Sequence, residues 1–405
     1  MAESTYCILI HYHEISLKGK NRSWFEKQLL KNIRKQLSGL PFSSIRHNAS
    51  RVFCFGVEKK DWSAYGNRLK CVMGIKHATL MSQIPAEMES IKAEVLKQMQ
   101  GSTFDTFRIS ARRQYKDFPH TSQQINEEIG AAVQAAVQKP VKLKQADIDV
   151  MIQIIKGMAY VGHVRIYGYG GLPVGCSEKA VSMISSGIDS PVASFEMLKR
   201  GVDITYVHFH SAPATNRQSI YNVIKILKVL AQYQIKCKLY LVPLLEIQQQ
   251  IMAETQNKLW VILFRRAMVK LACMIAEEHK IPALVSGESV GQVASQTLSN
   301  IRATSEAGNL PILRPLAGMN KDEIVMKAEE IGSYEISIEP YDDCCSFFIP
   351  MHPETKADVE KVKHAESKID YGNLFQTALE NTEAEIIECV DYRMKKPNII
   401  EMIND

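Results

Sequence analysis

Ser185-Ser186-Gly187-Ile188-Asp189-Ser190-Pro191 follows the apolar run Ala180-Val-Ser-Met-Ile184 and precedes Val192-Ala-Ser-Phe-Glu-Met-Leu-Lys-Arg200, whose apolar residues have helical spacing. A strand that ends in small residues and turns straight into a helix leaves amide N–H groups without partners, and with the helix dipole these form an anion site. The hydroxyls of Ser185, Ser186 and Ser190 can donate to phosphate oxygens, Gly187 permits close backbone approach, and Pro191 suits a first turn that needs no N–H. Asp189 is out of place beside phosphate unless a cation intervenes. It reads either as a magnesium ligand or as an acceptor that braces the loop. The plainer alternative is an ordinary βα turn in which Ser190 caps the helix. The stretch lacks the G-x-x-x-x-G-K-[ST] pattern and its lysine.

Outward from this loop, strands at 181–184, 203–208, 236–242, 283–286 and 312–316 alternate with helices at 191–200, 216–233, 246–279 and 320–331. Such alternation predicts a parallel sheet covered on both faces, with ligands at the carboxyl ends of its strands. His208-Phe209 closes the second strand and offers an aromatic face to a base. Ser286-Gly-Glu-Ser-Val-Gly-Gln-Val-Ala-Ser-Gln296 closes the fourth, and its glycines permit close approach to a ligand. Arg265-Arg266 lies in an apolar helix, where buried guanidinium groups need an anion unless the pair faces solvent. Lys321 stands at a helix start, where the dipole disfavours an unpaired cation.

Upstream, the run Gly168-Tyr-Gly-Gly-Leu-Pro-Val-Gly175 marks a linker. Strands at 5–13, 51–57 and 77–83 with helices at 21–37 and 62–70 suggest the βαβ-βαβ order of a ferredoxin-like sandwich. A second unit follows, with helix 91–100, strand 106–111, basic turn 112–116, helix 121–138, and strands 147–155 and 158–167. Through residue 60 the chain carries eleven Lys or Arg against four acidic residues, although the net charge of all 405 residues is only +5. A basic front end on a near-neutral body suits a polyanion, or is merely a solvated helix face.

With 46% hydrophobic and 23% charged residues the composition is that of a soluble multidomain protein. No eighteen-residue apolar run and no signal peptide are present, so a cytoplasmic location without membrane attachment is expected. Nine scattered cysteines form neither a disulfide framework nor C-x-x-C zinc pairs. Cys344 and Cys345 differ from the rest, lying in Glu339-Pro-Tyr-Asp-Asp-Cys-Cys-Ser-Phe-Phe-Ile-Pro350. Adjacent Cα atoms sit about 3.8 Å apart, closer than a relaxed disulfide prefers, which points to reactive thiols.

The 185–190 loop resembles that of the PP-loop ATP pyrophosphatases, usually Ser-Gly-Gly-x-Asp-Ser, which cleave ATP to AMP and pyrophosphate. Ser186 stands in place of the first glycine. Either that position holds a negative φ or serine strains it.

Together with the basic loop Glu14-Ile-Ser-Leu-Lys-Gly-Lys-Asn-Arg22, the segment Phe107–Ser122 and Gly170-Gly-Leu-Pro-Val-Gly175, the chain resembles the tRNA 4-thiouridine synthetase family, ThiI, over nearly its whole length. The resemblance implies an α/β multidomain protein. It would have a ferredoxin-like domain at 1–85, a THUMP RNA-binding domain at 86–170 and a PP-loop ATP pyrophosphatase domain at 176–405, adenine nucleotide alpha hydrolase-like in fold. It further implies ATP contacts at Met183, Ile184, His208, Phe209, Arg265, Gly287 and Gln296, alongside the loop residues Ser185, Ser186, Gly187 and Ser190. Asp189, Lys321 and Cys344 would be catalytic, with Cys345 assisting and Asp189 the candidate magnesium ligand. Lys18, Lys20, Arg22, Arg112, Arg113 and Lys116 would meet tRNA.

The implied reaction adenylates C4 of uridine 8 and displaces AMP with persulfide sulfur on Cys344, loaded by a cysteine desulfurase. Relatives with a rhodanese-like domain carry a further persulfide cysteine. This chain ends at Asp405 without room for one, which implies direct loading or a separate carrier and argues against a role in thiamine thiazole synthesis. Two alternatives stay open: a PP-loop enzyme acting on another tRNA base, and a catalytically silent THUMP-type tRNA-binding protein. A homodimer is compatible with the sequence and not required by it.

Overall fold

The computed structural model describes residues 5–12, 14–48, 51–114, 117–155, 157–341, 348 and 353–389. They divide into two compact units that meet between Gly171 and Leu172, inside the glycine and proline run.

In the N-terminal unit β1 (Thr5–Tyr12), α1 (Arg22–Gln36), β2 (Ser44–Asn48), β3 (Arg51–Val57), α2 (Trp62–Lys70) and β4 (Ile75–Pro85) follow the ferredoxin-like order. The strand β2, Ser-Ile-Arg-His-Asn, is absent from the sequence reading because its one buried residue, Ile45, gives no alternating pattern. Next come α3 (Met88–Gln100), β5 (Phe107–Arg113), α4 (Ser122–Val137), β6 (Ile148–Ile155), β7 (Met158–Gly162) and β8 (Arg165–Tyr167). The single strand expected over 158–167 is two. A Cβ on Gly162 would stand 2.0 Å from the Leu80 carbonyl oxygen, so the chain bends there against β4 before pairing with it again.

All these strands join one sheet in the order β2-β3-β1-β4-β7-β6-β5, with β8 also on β4. Side chains alternate across it. Ile8, Ile10 and Tyr12 pack with residues of α1 and α2, and Cys7 and Leu9 pack with Phe53, Met81 and Tyr160 on the other face. On β5, Phe107, Ile109 and Ala111 share a core with α3 and α4. The intervening Arg108, Ser110 and Arg112 line a cavity.

The C-terminal unit comprises β9 (Lys179–Met183), α5 (Asp189–Lys199), β10 (Asp203–His210), α6 (Gln218–Gln234), β11 (Lys236–Pro243), α7 (Leu245–Glu254), α8 (Trp260–Glu278), β12 (Leu284–Val285), α9 (Leu298–Ser305), β13 (Ile312–Leu313), α10 (Lys321–Ile331), α11 (Tyr334–Ser337), α12 (Val359–Glu366), α13 (Leu374–Glu380) and β14 (Glu383–Glu388). The order is β13-β12-β9-β10-β11-β14, parallel except for β14. Strand order reverses beside β9, which sits between β12 and β10, so the crevice for a ligand lies at the carboxyl end of β9. The apolar run of β9 reflects burial on both faces.

The helix expected over 246–279 is two. Thr255 is extended (φ −132°, ψ 161°), its hydroxyl donates to the Ile251 carbonyl at 2.6 Å, and the Trp260 indole donates to its own carbonyl. Thr255 and Asn257 carry low helix propensity, and each can bond locally to the backbone instead of continuing the helix. The last two parallel strands are also shorter than expected, two residues each.

Candidate active site

The loop from Ile184 to Ile188 joins β9 to α5. No side chain caps α5, so its first-turn amides stay open to an anion. Ser190 does not cap the helix. Its hydroxyl instead closes the loop, accepting from the Ser185 amide at 2.8 Å and donating to the Ser185 carbonyl at 3.1 Å. Ser186 is buried with a negative-φ backbone, and its hydroxyl has no hydrogen-bond partner among the described residues. Serine is therefore tolerated without strain.

Asp189 begins α5 and Lys321 begins α10, the latter fixed by a capping box in which Asn320 and Glu323 exchange side-chain and backbone hydrogen bonds. Lys321 Nζ donates to Asp189 Oδ1 at 2.6 Å, and Gln292 Nε2 donates to Oδ2 at 2.8 Å. Asp189 is thus a bracing acceptor, and it relieves the conflict between Lys321 and its helix dipole. Among the described residues no group of three or more His, Cys, Asp or Glu side chains could hold a metal. One carboxylate fits magnesium only if nucleotide phosphates and water complete the shell.

Beside the loop lies a cavity of about 390 Å³, within the range of small-ligand sites, roughly 300–1,000 Å³. Met183, Ile184, Ser185, Asp189, Ser190, His208, Phe209, Arg265, Gly287 and Gln296 all line it. Ser186, Gly187 and Lys321 are not in the lining, and Lys321 contacts it through Asp189. His208 is buried, its Nδ1 donating to the Ile184 carbonyl at 3.0 Å, and burial pushes its pKa down to about 4, so the ring is neutral at pH 7. The buried Gln296 Oε1 has no partner among the described residues, leaving an acceptor for a ligand N–H.

Gly287, which lines the cavity, also serves the packing of the loop. A Cβ there would lie 2.7 Å from the Ser190 amide nitrogen and 2.9 Å from the Asp189 carbonyl carbon, so its absence lets the loop after β12 sit on the start of α5. The anions that Arg265 and Arg266 need are supplied by the protein: Glu288 for Arg265 and Glu366 for Arg266, each at 2.6 Å. Glu288, Gln292 and Arg314 were missed by the sequence reading. Glu288 stands in the quoted Ser286–Gln296 segment, but nothing local marks it as buried.

Cys344, Cys345 and Lys116 lie outside the described residues. Both flanks of the cysteine segment reach the site. A Cβ on Gly187 would be 3.4 Å from the Tyr341 hydroxyl, the Ser337 hydroxyl bonds to the Gly187 carbonyl, and Pro353 lines the cavity. Lys225 holds Glu339 through both carboxylate oxygens, at 3.1 and 2.9 Å.

In the N-terminal unit a second cavity, about 360 Å³, opens on the sheet face opposite the helices and is lined by Arg108, Arg112, Arg165, Lys76, His11 and His77, with Asp149 its one acidic residue. Arg165 Nε and the Nδ1 atoms of both histidines are buried without hydrogen-bond partners among the described residues. Burial and the surrounding cations push His77 down to about 4. Of the other basic residues singled out from the sequence, Arg22 pairs with Glu26 at 2.6 Å and donates to Tyr12. Arg113 donates to the Phe118 carbonyl, and Lys18 stands over the Phe25 ring. None of these, nor Lys20, lines the second cavity.

Comparison with known proteins places this geometry. Residues 7–79 match the ThiI ferredoxin-like domain, 85–164 the THUMP domain, and 175–371 the family described as thiamine biosynthesis protein (ThiI). A probable tRNA sulfurtransferase of Moorella thermoacetica is 40% identical over 383 residues, covering 94% of this chain and 97% of that one. The chain belongs to the ThiI family. Another probable tRNA sulfurtransferase of the family, from Thermus thermophilus, is 37% identical over 372 residues, covering 92% and 91%. A crystal structure of a 4-thiouridine synthetase–RNA complex with bound ATP superposes with a TM-score of 0.85 at 33% identity, covering 95% of this chain and all of that one. PH1313 from Pyrococcus horikoshii shares the fold, with a TM-score of 0.63 at 23% identity over 81% of this chain and 99% of that one. No described helix of this ThiI chain is long and apolar enough to cross a membrane.

Proposed function

We propose that the protein is an ATP-dependent tRNA sulfurtransferase that makes 4-thiouridine at position 8. The observation that carries the reading is the Lys321–Asp189 pair at the head of α5, opening on a nucleotide-sized cavity in a ThiI chain. ATP sits with its base toward His208 and Phe209 and its phosphates at the open amides of α5. Asp189 would supply one ligand to a magnesium ion arriving with ATP, which would offset charge on the departing pyrophosphate. Lys321 is freed from Asp189 as phosphate enters and stabilises the same charge.

The C4 oxygen of uridine attacks the α-phosphorus and pyrophosphate leaves. The terminal sulfur of a persulfide on Cys344, loaded by a cysteine desulfurase, then attacks C4 and AMP departs with the C–O electron pair. A second thiol, from Cys345 or from free cysteine, cleaves the remaining S–S bond, releasing the thiocarbonyl and forming a new disulfide with Cys344. The position of Tyr341 and Pro353 at the site supports this assignment. The tRNA lies on the basic open face of the N-terminal sheet, around Arg112.

The test is incubation with ATP, magnesium, tRNA, cysteine and a cysteine desulfurase. AMP, pyrophosphate and 4-thiouridine are expected, and ADP as the product rejects the reading. Cys344→Ser should release pyrophosphate without making 4-thiouridine, whereas Cys345→Ser should only slow thiolation.

A further inference from the structure

Glu288 is buried on the loop after β12, and each of its oxygens is held by a different arginine. Oε1 accepts from Arg265 Nη1 and Oε2 from Arg314 Nε, both at 2.6 Å. Arg314 is itself immobilised. Its Nη2 donates to the Ser305 hydroxyl at 2.8 Å and its Nη1 to the Ile312 carbonyl at 3.3 Å, so each of its three nitrogens has a protein acceptor. Arg265 directs a single nitrogen, Nη1, to Glu288 and lines the cavity. Contacts therefore run from the last residue of α9 through Arg314 and Glu288 to Arg265 on α8.

We propose that Glu288 and Arg314 are positioning residues that hold the Arg265 guanidinium in its nucleotide-binding orientation and set the charge it presents. Two guanidinium groups sharing one carboxylate leave a net charge of +1 beside the cavity. Without Arg314, Glu288 neutralises Arg265 alone, and the cavity loses its attraction for a polyphosphate. Without Glu288, two like charges face each other and Arg265 loses its anchor. Arginine suits both places because its planar fork meets a carboxylate at fixed geometry, which lysine cannot reproduce.

The inference rests on the cavity being the ATP site. ATP binding to the full-length protein, measured by calorimetry for wild type, Glu288→Gln, Arg314→Met, Arg314→Lys and Arg265→Ala, tests it. Glu288→Gln and Arg314→Met should each raise the ATP Kd about tenfold, and in turnover the loss should fall on KM for ATP more than on kcat. Arg314→Lys, which keeps the charge but only one donor nitrogen, should lose about threefold. The deciding result is the double variant that keeps the charge: Arg265→Ala with Arg314→Lys should bind ATP no more weakly than Arg265→Ala alone, because residues acting through one another are not additive. Additive losses, or unchanged affinity in Arg314→Met and Arg314→Lys, would overturn the positioning role. If Arg314→Met does not fold, Arg314→Lys completes the cycle. Wild-type protein that fails to bind ATP would instead reject the nucleotide reading itself.

Discussion

Lys321 Nζ and Asp189 Oδ1 lie 2.6 Å apart and join the first residues of two helices separated by 132 positions in the chain. A carboxylate at a helix start is favoured by the dipole and an ammonium is not, so the pair places each helix's charge where the other can use it. It also marks where an incoming phosphate must compete.

Because both side chains are partly exposed, with 45% and 20% of their surface accessible, breaking the pair should change stability by less than about 1 kcal/mol. Lys321→Met and Asp189→Asn should nevertheless lower tRNA-dependent pyrophosphate release by roughly a hundredfold or more. Activity and melting temperature measured on the same preparations separate the two effects. A proportionate fall in both would make the pair structural.

Gly287→Ala should be costly although alanine is small. Its methyl would stand 2.7 Å from Ser190 nitrogen, and a backbone neighbour cannot turn aside as a side chain can. A loss of about 1–3 kcal/mol is expected, with weakened ATP binding. Denaturant titration alongside calorimetry is the check.

At Ser186 the order of stability should be alanine, then serine, then glycine. Alanine removes a buried hydroxyl that has no partner among the described residues, a gain of up to about 1 kcal/mol. Glycine adds unfolded-state entropy at a position whose φ is already negative, a loss of about 0.4–1 kcal/mol. Glycine as the most stable variant would show that the loop demands the left-handed region after all.

His208 should make the C-terminal unit sensitive to acid. Its folded pKa, pushed down chiefly by burial, is about 4, whereas the unfolded chain takes up a proton near 6.5. Its contribution is therefore fully present above about pH 6.5 and is lost as pH falls through 4, amounting to about 3 kcal/mol. His208→Asn retains a donor for the Ile184 carbonyl and cannot titrate. Between pH 6.5 and 4 its stability should fall less steeply than wild type by about 1.4 kcal/mol per pH unit, read from urea unfolding.

Arg112→Gln in the full-length protein should weaken tRNA binding similarly across tRNA sequences. It should also lower the slope of log affinity against log salt by about one, as expected when one phosphate contact is lost. An unchanged slope would remove Arg112 from the RNA interface.

Local chemistry in the sequence determined much of this protein: the small-residue turn after β9, the alternation of strands and helices, the run at 168–175 where the two units divide, and the resemblance that gathered the cavity-lining residues. These are legible because periodicity, turn residues and a motif are each written within a few positions. What pairs with what was decided only in the folded molecule. The strand β14, Glu-Ala-Glu-Ile-Ile-Glu, has no clear strand pattern by itself. It exists because β11 offers it backbone partners and Lys236 meets Glu388, residues 152 positions apart. In the same way the local sequence leaves open which protein groups Asp189 and Arg265 face, and tertiary contacts brought Lys321 and Glu288 to within 2.6 Å of them. A charge's neutraliser depends on distances between remote segments, and burial of Glu288 depends on the loops that close over it; neither is encoded within reach of a local pattern.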